Sequence, residues 1–95
     1  MNKIYVGGSF MSVIYEPEYR ILIQCLRDFR TQSKMTQQEL ACALDCSQSY
    51  VCKYEQCQRR LDFIEVRNIC LALGVSLPEF IKEYEERIAL GGIKQ

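Results

Sequence analysis

The sequence predicts an all-α domain of five helices. Three observations carry that expectation: a helix-start grammar that recurs along the chain, apolar residues at helical spacing after each start, and connections of only two to five residues. Pro17 suits a first helical turn, where a missing amide hydrogen costs little. Leu22, Cys25, Leu26 and Phe29 then recur every three or four residues and make one apolar stripe, so the first helix is expected over 18–33. Thr36-Gln37-Gln38-Glu39 reads as a capping box, in which Thr accepts from the third amide and Glu reaches back to the Thr amide. The helix it opens is expected over 36–44, with Leu40, Ala41 and Leu44 facing inward. After the brief Asp45-Cys46 break, Ser47 can cap a third helix over 47–56, with Val51 and Tyr54 inward. Asp62-Phe63-Ile64-Glu65 and Ser76-Leu77-Pro78-Glu79 repeat the box and open helices over 62–73 and 77–89. Hydrophobic staples flank the three boxes: Met35 with Leu40, Leu61 with Val66, and Val75 with Phe80. Gly74 and Gly91-Gly92 supply left-handed ends.

The first sixteen residues differ in character. Ile4-Tyr5-Val6, Gly7-Gly8 and Phe10 to Tyr15 read either as a short N-terminal β-hairpin or as a flexible leader. The expected division is therefore 1–16 as leader or hairpin and 17–95 as one helical domain with a C-terminal helix.

With 95 residues the chain suffices for one domain, and 48% hydrophobic composition argues against disorder. His is absent, which removes the commonest general base and the commonest metal-binding imidazole. No phosphate-cradling glycine loop, nucleophile elbow or close Cys pair of the zinc type is present. Accordingly no catalytic residue, metal ligand or cofactor is expected, and the protein is read as a non-enzyme. The six cysteines, without a secretory leader, are expected to be reduced and mostly buried, in a cytoplasmic protein with no membrane span.

Net charge is zero, from 12 basic and 12 acidic side chains, but it is unevenly spread. Residues 1–19 carry −1, residues 20–60 carry +3, and residues 61–95 carry −2. The central segment, which also holds the second and third helices, is thus the mildly basic one. Those two are joined by a three-residue turn, which forces a steep crossing and needs a small contact residue; Ala41 provides one. Asp45 stands where the chain must turn left-handed, which Asp tolerates better than most residues.

The run Thr36-Gln37-Gln38-Glu39-Leu40-Ala41, then Leu44-Asp45-Cys46-Ser47-Gln48-Ser49-Tyr50-Val51 and Lys53-Tyr54-Glu55, resembles the helix-turn-helix of the lambda-repressor and Cro (XRE-like) family. Arg59-Arg60-Leu61-Asp62 is similar to the basic loop that follows it, and Leu71 to Phe80 to the family's fourth and fifth helices. Asp45 and Cys57 stand where the family usually has glycine. The resemblance implies a five-helix lambda-repressor-like domain that regulates transcription by binding double-stranded DNA, with its third helix in the major groove, a docking that is the standing illustration of this family. It implies that Ser47, Gln48, Ser49, Cys52 and Lys53 face the DNA, with Gln48 able to pair with adenine and Lys53 with guanine or a phosphate. Gln37 matches the phosphate-binding position at the start of the second helix, and Arg59 and Arg60 are read as phosphate holders beyond the groove. Tyr50 is either a backbone contact or a half-buried aromatic. Glu55 is expected to pair with Arg59, Arg60 or a loop amide.

The family reads two half-sites as a homodimer. Phe80, Ile81, Tyr84, Ile88 and Leu90 are more apolar groups than a terminal helix needs, so some are expected in the core and others in a dimer interface; the leader, with Ile4, Tyr5, Val6 and Phe10, is the rival element. No separate effector domain is expected within these 95 residues, so if the protein is a repressor its control is expected from concentration, dimerisation or a protein partner. Phage repressor, restriction controller and antitoxin are the contexts typical of the family. The alternative reading is a protein-interaction module on the same frame that has lost DNA affinity.

Overall fold

A computed structural model describes residues 15–91 and contains five α-helices in this order: α1 (Pro17–Gln32), α2 (Gln37–Leu44), α3 (Gln48–Glu55), α4 (Phe63–Leu73) and α5 (Leu77–Ala89). The hairpin or leader expected at the N-terminus, Ile4 to Phe10 included, lies outside the described residues. Each helix begins within about a residue of its expected start, because the signals act locally: Pro17 in the first turn of α1, which has no side-chain cap, and side-chain caps at the other four. Thr36 accepts from the Glu39 amide at 3.0 Å while Glu39 returns a bond to the Thr36 amide at 2.9 Å. Asp62 and Glu65 make the same reciprocal pair at 2.8 and 2.9 Å. At α5 the box is only half formed: Ser76 accepts from the Glu79 amide at 3.1 Å, without the return bond. The third helix, expected over 47–56, is a little shorter, since Ser47 and Gln56 are its caps rather than its turns.

The core lies between all five helices: Ile23, Cys25 and Leu26 from α1, Leu40 and Ala41 from α2, Val51 and Tyr54 from α3, Ile69 and Cys70 from α4, and Phe80 from α5. The buried stripe of α1 is rotated from the expected one; Tyr19, Ile23 and Arg30 are inside, while Leu22 and Phe29 are half-buried at its edge. Tyr19 meets the Leu61 amide and Arg30 meets Glu55 of α3 on the inner side, while Phe29 lies against α5, its ring 6.2 Å from that of Phe80. The cysteines split, which corrects the expectation of mostly buried thiols: Cys25, Cys57 and Cys70 are buried, Cys52 is half-buried, and Cys42 and Cys46 are exposed. Among the last helix's apolar residues only Phe80 is core; Tyr84 and Ile88 are half-buried, and Ile81 and Leu90 are exposed.

Candidate nucleic-acid interface

The site is built on the connection between α2 and α3. Asp45 has φ 58°, in the left-handed region, and its amide and that of Cys46 close on Cys42 and Ala41 carbonyls at 3.1 and 2.9 Å. This ends α2, and Ser47 then starts α3 by accepting from the Tyr50 amide at 3.2 Å. Ala41, with no exposed surface, lets the two helices lie against each other.

Two predicted residues meet directly. Gln37 is the first residue of α2 and Gln48 the first of α3; the Gln48 Nε2 donates to Gln37 Oε1 at 3.3 Å. The two helix N-termini therefore open on the same side, where their unpaired amides favour an anion. Ser47, Ser49 and Lys53 are exposed on the same short helix or its cap, and Cys52 is half-buried. Ser47 uses an oxygen lone pair for the cap, which leaves its hydroxyl hydrogen to donate. Lys53 makes no ion pair with a described residue.

Arg59 and Arg60 are positioned differently from free phosphate holders. The Arg59 guanidinium lies 4.8 Å over the Tyr50 ring and pairs with Glu65 at 3.0 Å. Arg60 lies 4.8 Å over Tyr19 and pairs with Glu16 at 2.8 Å. The two guanidiniums diverge, one toward α3 and α4 and the other toward the start of α1, so a phosphate must share each with a carboxylate. Tyr50 takes its half-buried alternative. Its hydroxyl donates to Glu65 at 3.1 Å, and burial, with Glu65 beside it, pushes its pKa up to about 12.

The expected partner of Glu55 is corrected. Glu55 pairs with Arg30 of α1 in a two-pronged contact, Nε to Oε2 at 2.7 Å and Nη2 to Oε1 at 2.9 Å, with the side chains 10% and 2% exposed. Arg30 also donates through Nη1 to the Met35 carbonyl at 2.8 Å. The bond to Glu55 pushes the Arg30 pKa above its ordinary value. Gln37 Nε2 donates to Glu55 Oε1 at 2.9 Å, so the buried pair continues through Gln37 to Gln48. Arg30 was the residue missed in the sequence. Its signal was a cation four places after Leu26 on the buried side of α1, where an unpaired charge is costly.

Among the described residues no cluster of three potential metal ligands occurs, and no helix is long and apolar enough to cross a membrane. A capped, tightly turned helix pair presenting amides, hydroxyls and a lysine defines a helix-turn-helix protein. The chain belongs to the helix-turn-helix domain family, which matches residues 22–80. Two crystal structures of the clp gene regulator ClgR from Corynebacterium glutamicum are similar to it. One is 25% identical with a TM-score of 0.66, covering 79% of this chain and 96% of that one. The other is 27% identical with a TM-score of 0.70, covering 81% and 82%. No curated protein matches the chain in sequence.

Proposed function

We infer that this DNA-binding regulator reads the major groove with the exposed face of α3, as a homodimer on an operator of two half-sites. The observation that carries the reading is the contact between Gln48 and Gln37, because it sets a base-reading amide beside the N-termini of both helices. Gln48 is assigned to a base edge, Ser47 and Ser49 to bases or sugar-phosphate, and Lys53 to guanine or phosphate. Gln37, Arg59 and Arg60 are assigned to phosphates. Similarity to a clp gene regulator supports a regulatory role. For the dimer, support comes from Ile81 and Leu90, 42% and 81% exposed, and from an apolar groove of about 360 Å³ between α1, α4 and α5 lined by Leu22, Phe63, Val66 and Leu77. On this reading the protein acts in the cytoplasm, as a binding protein rather than an enzyme, with residues 17–95 forming the domain and 1–16 an appendage to it.

The test is fluorescence anisotropy on the duplex upstream of the protein's own gene, beside a scrambled duplex, over a series of salt concentrations. Tighter binding to the upstream duplex, weakening steeply with salt, is expected. Folded protein that binds neither duplex would overturn the reading in favour of a protein-interaction module, for which the neutral net charge and the carboxylate-paired arginines give support.

A further inference from the structure

The buried ion pair reaches the reading helix by a route that fixes direction as well as position. Glu55 Oε1 accepts from Gln37 at 2.9 Å and is itself buried. An ionised carboxylate can only accept, so the group of Gln37 that faces it must be the NH2. The Gln37 carbonyl then faces away, and the group of Gln48 that meets it must again be NH2, as the 3.3 Å contact has it. One hydrogen of Gln48 Nε2 is thereby used. What remains outward is one N–H beside one carbonyl oxygen.

We propose that Glu55, locked by Arg30, is a positioning residue for base selection: acting through Gln37, it sets the amide polarity of Gln48 so that Gln48 prefers adenine over guanine. The inference rests on the groove-reading function proposed above. In the major groove adenine offers the N7 acceptor next to the N6 donor, which matches an N–H beside a carbonyl. Guanine offers two acceptors, N7 and O6, so the fixed Gln48 would set its carbonyl against O6. Released from Gln37, the Gln48 amide can turn both hydrogens toward guanine, and the preference narrows. Arg30 matters because its two-pronged grip leaves Glu55 no freedom to rotate away from Gln37.

The experiment is selection from a pool of duplexes with a randomised central segment, read by sequencing, for the full chain and for three variants whose folding is checked by circular dichroism. Gln48→Ala locates the base-pair position that Gln48 reads. Gln37→Leu cuts the route while leaving the buried pair intact. Arg30→Gln combined with Glu55→Gln keeps hydrogen bonding but removes the acceptor-only group. The wild-type protein is expected to prefer adenine over guanine at the located position by on the order of tenfold or more. In Gln37→Leu and in the double variant that ratio is expected to fall below about threefold there, with preferences elsewhere retained, whatever uniform affinity is lost with Gln37 as a phosphate contact. Either variant, folded and keeping the wild-type ratio, overturns the inference; should the double variant not fold, Gln37→Leu decides alone. If the wild-type protein selects no sequence, or Gln48→Ala alters no position, it is the groove-reading function that fails and the inference falls with it.

Discussion

At the scale of single residues, three non-glycine positions among the described residues hold left-handed backbone: Lys34, Asp45 and Cys57, with φ of 59°, 58° and 59°. An L-residue there carries a steric cost of roughly 1–2 kcal/mol, partly balanced by the greater unfolded-state entropy of a glycine substitute. Asp45 is exposed and has no side-chain role in the fold beyond permitting the turn. Asp45→Gly is therefore expected to raise stability by about 0.5–1 kcal/mol. Asp45→Val should lower it by at least as much, since a β-branched side chain is the poorest fit to this backbone. Urea unfolding of the two variants checks both signs. Ala41 is the opposite case. Its side chain is fully enclosed where α2 meets α3, so Ala41→Leu should cost about 1–3 kcal/mol or more and disrupt the helix pair. A folded Ala41→Leu protein of wild-type stability would mean that the crossing has room to spare.

At the scale of elements, α3 is only eight residues long and depends on its ends. A helix so short is unstable alone, so its cap and its packing hold it together. Ser47→Ala removes the acceptor for the Tyr50 amide and should cost about 1 kcal/mol; an unchanged denaturation midpoint would show the cap replaced by water. Side chains along α3 should separate by function on DNA. Lys53→Ala should weaken binding about equally on all sequences and flatten the salt dependence. Gln48→Ala should cost on the order of 1–3 kcal/mol and relax one operator position. Quantitative binding to a selected operator and to its single-base variants distinguishes the two patterns, and two uniform losses would contradict a reading role for Gln48.

For the whole molecule, pH reports on how the core is closed. Burial pushes the Cys25 and Cys70 thiols up to about 11, from an ordinary 9.0. In the unfolded chain these thiols ionise near 9.0, whereas the folded protein keeps their protons until about 11. Their contribution is thus complete below the lower value and is lost as pH rises through the higher one. Under reducing conditions, urea midpoints should agree near pH 7 and pH 8 and fall as the pH passes about 9 toward 11. The variant with Cys25→Ala and Cys70→Ala should lose less of its own stability over that alkaline interval. A wild-type profile level across it would mean that water reaches both thiols.

The sequence by itself determined what depends on neighbours along the chain. Thr36 with Glu39, Asp62 with Glu65, the Ser47 cap, and the left-handed Asp45 and Gly74 are set by side chains within a few residues of the backbone they govern, so helix order and limits were legible. The turn between α2 and α3 was equally local, and with it the candidate reading residues Gln37 and Gln48. Only tertiary structure decided which distant groups those residues meet. Arg30 and Glu55 are 25 positions apart, and Arg60 and Glu16 are 44 apart. Glu55 has basic residues close by in sequence at Arg59 and Arg60, yet α1 brings Arg30 to it in a buried position, while Arg59 and Arg60 turn toward Glu65 and Glu16. The physical reason is that a cap is decided by the torsions of one helical turn, whereas a buried charge must take whichever counter-charge the packing of whole helices delivers.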